Sequence, residues 1–215
     1  MKKCMETIER YTGALLGLAT GDAIGTTLEF CTPGSFVPID DMVGGGPFSL
    51  EPGQWTDDTS MALCLADSLS ERQGFDPADQ MDRYMRWYRE GYMSSTGFCF
   101  DIGNTVKTAL ARFEKEHQPY CGSRDPNSAG NGCIMRLAPV PLLYCLRPEE
   151  AIEKSGLSSC TTHGVTSCID ACRYLGALLV GALKGDDKEE LLSIRYSPVP
   201  GLWDKCYVPP IRYRF

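Results

Sequence analysis

The chain reads as an all-α protein, a compact multi-helix domain. Three observations predict that class: apolar residues recur at helical spacing through most of the sequence, alternating strand patterns are nearly absent, and helix-start signals precede the apolar runs. With 215 residues, 43% of them hydrophobic and 23% charged, the chain can bury a full core and falls in the ordinary globular range.

Each element has a local reason. Over residues 11–30, Gly13, Gly17, Gly21 and Gly25 recur among Leu15, Leu16, Leu18 and Ile24. Each glycine costs a helix ~1 kcal/mol, so this one is expected to be held by packing, its glycine stripe admitting another helix closely. A second helix follows Thr56-Asp57-Asp58-Thr59, with Thr56 as N-cap and Met61, Leu65, Ser68 and Leu69 at helical spacing. A third opens at Asp76-Pro77, a cap followed by proline at the first helical position, and places Met81, Tyr84, Met85 and Tyr88 on one face. A fourth is expected over 101–113. Residues 119–132, rich in Gly, Ser, Asn and Pro, read as a long loop of the kind that carries function. Further helices are expected over 135–144, 148–154 and 165–183. Pro198, Pro200, Pro209 and Pro210 break the end of the chain, so the organisation is one helical domain over 1–196 and an irregular tail over 197–215.

The composition excludes some functions. A formal charge of −7 argues against nucleic-acid binding, which rests on Lys and Arg neutralising phosphates. An anionic ligand would need helix N-termini, backbone amides or a bound cation. The 11 cysteines are odd in number and contain no Cys-x-x-Cys pair, against both zinc and a disulfide framework. Cys64, Cys145, Cys168 and Cys172 read as small core residues in a reducing compartment. Glu6, Glu9 and Asp22 interrupt the only leader-like stretch, and no run of eighteen apolar residues occurs. No membrane partner is expected, and the expected location is cytoplasmic.

Four segments could carry chemistry. The first is Gly21-Asp22-Ala23-Ile24-Gly25 with Glu29, an acid placed four residues from Gly25 and so expected on the face of the glycine stripe. Asp22 reads equally as a buried cap or ion pair. In the second, Thr56-Asp57-Asp58-Thr59, a hydroxyl and two carboxylates form either a capped helix start with acids suited to the dipole or half of a site for a hard cation. The third, Gly130-Asn131-Gly132 before Met135-Arg136, can present backbone amides to a phosphate or be a plain turn with a left-handed asparagine. The fourth is Thr161-Thr162-His163-Gly164. His117 reads as exposed surface.

Together and in this order, the strings GALLGLATGDAIGTTLEF, GQWTDDTSMALCLADSL, STGFCFDIGNT, GNGCIMRLAPVPLL and TTHG resemble the ADP-ribosylglycohydrolase family, over residues 13 to about 183. The resemblance implies an all-α fold with a two-magnesium centre at the mouth of a cleft, Mn²⁺ being the alternative ion. It implies that Thr56, Asp57 and Asp58 ligate metal, that Glu29 orients or activates water with Asp58 beside it, and that Gly130, Asn131, Gly132 and His163 line an ADP-ribose pocket bordered by Asp101 and Gly103. The implied activity is removal of ADP-ribose from a protein side chain or a small conjugate by cleavage at the anomeric carbon of the distal ribose. Such a reaction passes through oxocarbenium character that nearby carboxylates stabilise. The family's C-terminal Gly-x-Asp-x-Asp-Thr motif is not found here. Asp186-Asp187 has the wrong spacing and reads as solvated surface, and Asp204 stands alone. The alternative expectation is therefore a non-catalytic ADP-ribose binder or an inactive truncated relative.

Overall fold

The computed structural model describes the backbone of residues 2–204 and the side chains of residues 7–203. Eight helices are described: α1 Lys2–Gly25, α2 Asp57–Glu71, α3 Pro77–Glu90, α4 Asn104–Glu116, α5 Pro139–Tyr144, α6 Pro148–Cys160, α7 Thr166–Lys184 and α8 Lys188–Leu191. Extended pairing among the described residues is confined to two isolated bridges, Gly45 with Leu50 and Ser123 with His163. The all-α expectation holds.

α2 lies at the centre, packed against α1, α3 and α5, while α6 and α7 form the most closely packed pair. Met61 and Leu65 of α2, Tyr84 and Trp87 of α3, Leu110 of α4 and Val140 of α5 are buried in one core. Arg83 locks α3 to α2, its Nε–H donating to Asp79 at 2.7 Å while its guanidinium also pairs with Asp67. α7 is long and apolar enough to cross a bilayer by length and composition, and its Cys168, Cys172, Ala177 and Val180 are buried in the protein.

Several expected boundaries move, each for a local reason. α1 ends at Gly25 instead of continuing through Phe30; a 3₁₀ turn follows over Thr26–Leu28, and Thr27 Oγ1–H donates to Gly44 O at 3.1 Å, turning the chain away. Glu29 is thus extended (φ −58°, ψ 140°) and does not share a helix face with the glycines. α4 starts at Asn104 because Asp101 has φ 55° and Gly103 is extended. The helix expected from Met135 starts at Pro139, the preceding turn being closed by Asn131 O, which accepts from the N–H of Ile134 (2.8 Å) and Met135 (3.1 Å). α6 runs on to Cys160.

The glycine stripe is a further correction. Gly13, Gly17, Gly21 and Gly25 are exposed, and a Cβ at any of them would meet nothing within 4 Å. Close helix approach occurs instead between α6 and α7, where a Cβ on Gly176 would lie 2.4 Å from Ser155 Oγ. Near the chain's end Asp186 is not bare surface, since it accepts a hydrogen bond from the Tyr196 hydroxyl, and Asp187 caps α8 by accepting from Glu190 N–H at 2.8 Å. Residues 197–203 are packed and enter a 3₁₀ turn over Leu202–Asp204: Trp203 is buried against Ile152 and Ala177 and donates from Nε1 to Tyr196 O at 2.8 Å. Asp204's side chain and residues 205–215 lie outside the described residues. None of the described cysteines forms a disulfide, and Cys64, Cys145, Cys168 and Cys172 are buried.

Candidate active site

The start of α2 is held by α1. Thr56 occupies the N-cap position, yet its own side chain accepts no capping bond. Asp22 of α1 does that work from outside: its carboxylate accepts from Thr56 N–H (3.1 Å), Thr59 N–H (3.0 Å), Thr56 Oγ1–H (2.8 Å) and Thr59 Oγ1–H (2.6 Å). Orphan N–H groups at a helix start are thereby satisfied by an acid at the positive end of the dipole. The Thr56 hydroxyl proton is committed to Asp22, so lone pairs are what that oxygen offers the cleft.

The same arrangement packs carboxyl groups together. Burial first, then the charges of Asp101, Asp58 and Asp22, pushes the Asp57 carboxyl up to about 9. Burial and the charges of Asp22 and Glu29 push Asp58 up to about 6. Asp101 rises to about 7 through burial and the neighbouring Glu29 and Asp58. Glu29 is raised by burial, and its hydrogen bonds with Thr26 and Asp101 oppose that rise. Among the described residues none of these acids has an ion-pair partner. Asp101 reaches the cluster because its loop is tied to the segment before α2, with Ser95 Oγ–H donating to Trp55 O (2.6 Å) and Trp55 Nε1–H to Met93 O (3.3 Å).

His163 forms the other wall. It is buried, its Nδ1 lies 2.8 Å from Thr162 Oγ1, and burial together with the Arg136 charge lowers its pKa to about 4, so the ring is neutral at physiological pH. Arg136 is itself fully buried beneath this wall, donating to Thr162 Oγ1 (2.7 Å) and Thr161 Oγ1 (3.0 Å) with its guanidinium 4.6 Å from the centre of the Tyr84 ring. Gly132 lies against the histidine, where a Cβ would come within 3.0 Å of His163 Cε1 and 3.1 Å of Val106 Cγ2. Asn131 is not left-handed, so the plain-turn reading of that segment fails in its detail.

A cleft of about 440 Å³ joins the walls, within the roughly 300–1,000 Å³ of small-molecule sites. Glu29, Asp57, Asp58, Asp101 and Gly103 line one side; Gly130, Asn131, Gly132 and His163 line the other. Thr56 lines an adjoining hollow of about 280 Å³ together with Asp22, Glu29 and Asp58. Every site residue expected from sequence thus lies in one connected region. The cap reading of Asp22 holds, though the helix it caps is α2 and not its own; what sequence reasoning missed is Phe30, Asn104 and Thr105 on the cleft wall. The Gly-Asp-Ala-Ile-Gly string signalled Asp22, but no periodicity signalled Phe30.

Thr56, Asp57 and Asp58 supply oxygen donors of the hard type that Mg²⁺ takes, and the uncompensated acids call for positive charge. Among the described residues no three His, Cys, Asp or Glu side chains converge as a complete cation site. The donors suit a hard cation in kind but do not by themselves complete a shell among the described residues.

The ADP-ribosylglycohydrolase family model matches residues 4–206. ADP-ribosylarginine hydrolase Tri1 of Serratia proteamaculans is 43% identical over 91% of this chain and 53% of its own length, and Tri1 of Pseudomonas putida is 47% identical over 87% and 50%. The ADP-ribosyl-[dinitrogen reductase] glycohydrolase of Rhodospirillum rubrum is 34% identical over 80% and 57%. A solved ADP-ribosylglycohydrolase-related protein complex superposes with a TM-score of 0.77 at 45% identity, covering 87% of this chain and 60% of that one. The chain spans about half the length of the relatives it matches.

Proposed function

The chain belongs to the ADP-ribosylglycohydrolase family, and from that premise we propose that it hydrolyses the bond between ADP-ribose and a modified side chain, an arginine first among the candidates. The observation that carries this reading is the single cleft whose one wall is acidic and whose other wall is glycine backbone beside a neutral histidine. The relatives named ADP-ribosylarginine hydrolases, at 43% and 47% identity, support the choice of side chain.

In this reading Thr56, Asp57 and Asp58 would hold Mg²⁺, two ions by family resemblance, which when bound would supply Lewis acidity toward the distal ribose. Glu29 is the proton acceptor for the attacking water. Its raised pKa suits a base that must take a proton and release it again. Asp58 and Asp101 stabilise positive charge growing on the anomeric carbon as the bond to the side-chain nitrogen breaks. The Gly130-Asn131-Gly132 backbone takes the diphosphate side, and the neutral His163 presents a hydrogen-bonding ring without charge. A second reading, an ADP-ribose binder without turnover, is favoured by one observation, the incomplete cation shell among the described residues.

Two measurements decide. Thermal unfolding with ADP-ribose in magnesium should show a shift that chelator removes; ligand at a hundred times its dissociation constant adds ~2.7 kcal/mol. ADP-ribose release from an ADP-ribosylated arginine peptide then separates hydrolase from binder. A cooperative melt that ADP-ribose leaves unmoved would overturn both.

A further inference from the structure

Behind the glycine wall lies a group of thiols that neither hydrolysis nor ADP-ribose binding uses. Cys133 directly follows Gly132, and Cys168 and Cys172 stand four residues apart on one face of α7. Cys133 and Cys172 are fully buried and Cys168 is 5% exposed. The sulfurs of Cys133 and Cys168 lie 3.8 and 3.6 Å from Gly130 O, and Cys133 hydrogen-bonds to Cys172. Among the described residues these thiols do not converge as a metal site.

The neighbouring cation explains why the group is more than packing. Arg136 is fully buried, and among the described residues no acid lies within ion-pair distance of it. It donates to Thr161 Oγ1, Thr162 Oγ1 and Ser158 O, all neutral, and its Nε–H has no partner. A buried charge without a counter-charge is strongly destabilising, and Cys133 is the group that can supply one. Hydrogen bonds from Cys172 and Ser159, and the Arg136 charge, lower the Cys133 thiol toward its ionised form against the opposing effect of burial. Cys172 is pushed the other way by Cys133 and by burial, so it keeps its proton. A thiolate touching a protonated thiol is the pair that disulfide chemistry needs, one to attack and one to resolve.

We propose that Cys133 and Cys172 form a reversible disulfide under hydrogen peroxide, and that this bridge weakens ADP-ribose binding at the wall the two residues support. The effect on binding rests on the ADP-ribose reading of the cleft; the bridge itself does not. The Cys133 thiolate attacks one peroxide oxygen, the O–O bond breaks, and the departing hydroxide leaves as water with the proton that Cys133 had given up. The Cys172 sulfur then attacks the sulfenic sulfur, the S–O bond breaks, and the Cys172 proton leaves with the hydroxyl as a second water. Two thiols are oxidised and one peroxide is reduced to two waters. Peroxide enters at the first turn of α7, where Thr166, Ser167 and Gly130 are exposed beside Cys168. Oxidation takes the counter-charge from Arg136, whose guanidinium donates to Thr162 Oγ1, and that oxygen lies 2.8 Å from His163 Nδ1 on the cleft wall.

The test has two readouts. The full chain is treated with hydrogen peroxide, its remaining thiols are blocked, and tryptic peptides are weighed; residues 125–136, which hold Cys133, should be joined to residues 155–173, which hold Cys172, and a reductant should separate them. The same samples are titrated calorimetrically with ADP-ribose in magnesium, where the oxidised protein should bind at least about fivefold more weakly and recover on reduction. Cys172→Ala should bind ADP-ribose within about twofold of the reduced wild type and no longer respond to peroxide. Cys133→Ser, the second variant should the first fail to fold, should be equally unresponsive, and Cys168→Ser should still form the bridge. Peroxide-treated wild type without the joined peptides overturns the bridge, and joined peptides with unchanged affinity overturn the switch. A loss of affinity that persists in Cys172→Ala or Cys133→Ser assigns it to another thiol, such as the exposed Cys31, and overturns the proposal. Reduced wild type that does not bind ADP-ribose overturns the proposed function and the switch with it, while the peptide masses still decide whether the bridge forms.

Discussion

Replacing Asp22 by alanine tests how the site is built, because this acid sits on α1 while everything it holds sits at the start of α2. The substitution removes the acceptor of two backbone N–H groups and of the Thr56 and Thr59 hydroxyls, at 2.6 to 3.1 Å. Loss of a helix N-cap costs ~1–2 kcal/mol. Stranding the two threonine hydroxyls, whose residues are 2% and 3% exposed, costs a further ~1–2 kcal/mol. Relief of repulsion works the other way, since the Asp22 charge contributes to the raised pKa of Asp57, Asp58 and Glu29. The net loss should be ~2–3 kcal/mol, or a fall in Tm of roughly 5–10 °C for a chain of this length. Urea denaturation in chelator, at pH 7 and fixed protein concentration, reads it as a lower midpoint at constant slope. Asp22→Asn retains one carbonyl acceptor and should recover about half. A loss below ~0.5 kcal/mol for Asp22→Ala would refute the reasoning, showing that water replaces the cap at no cost.

Other outcomes follow from the same geometry. Asp57 has its folded pKa raised from 3.8 to about 9, so the folded state binds the extra proton between those values; the stability this contributes is complete below pH 3.8 and is lost as pH rises through about 9. In chelator, Tm should therefore fall as pH is raised from 6 to 9, and Asp57→Asn should flatten that slope; an unchanged slope in the variant would place the titration elsewhere. His163 runs oppositely, its folded pKa lowered to about 4, so its contribution is complete above its ordinary value of 6.5 and is lost as pH falls through about 4. Asp57→Ala should abolish the magnesium-dependent part of the ADP-ribose thermal shift, whereas Asp187→Ala, which removes only the cap of α8, should cost ~1 kcal/mol of stability and leave the shift intact. Gly132→Ala places a methyl group against His163 and Val106 and should weaken ADP-ribose binding, measured by calorimetry, with a stability cost of ~1–3 kcal/mol; wild-type affinity in that variant would show that the wall yields freely.

Much was legible in the sequence because the signals were local. The helix-start signal of Asp76-Pro77 became a real cap, with the Asp76 carboxylate accepting from Ala78 N–H at 3.0 Å. Apolar spacing located the faces of α2 and α3, and Glu29, Asp57, Asp58, Asp101 and His163, taken from the motifs, line one cleft. The errors arose where distant segments outvote local preference. Glu29 left its helix because residue 44 pulls on Thr27, and the 135–144 helix began late because Pro139 and the Asn131 turn interrupt it. The glycines of α1 were read as a packing stripe, yet periodicity says only that a face exists and cannot say what covers it.

Sequence by itself determined the helical class, the family and the identity of the acids, since each is encoded in residue types over a few turns of chain. Only the tertiary structure decided that Asp22 caps a helix other than its own and that unpaired carboxylates raise one another's pKa. Those are properties of distance. Charges and hydrogen bonds depend on separations of a few ångströms, and among residues 22, 57 and 101 those separations are set by the packing of α1 and α2 and by the loop between α3 and α4.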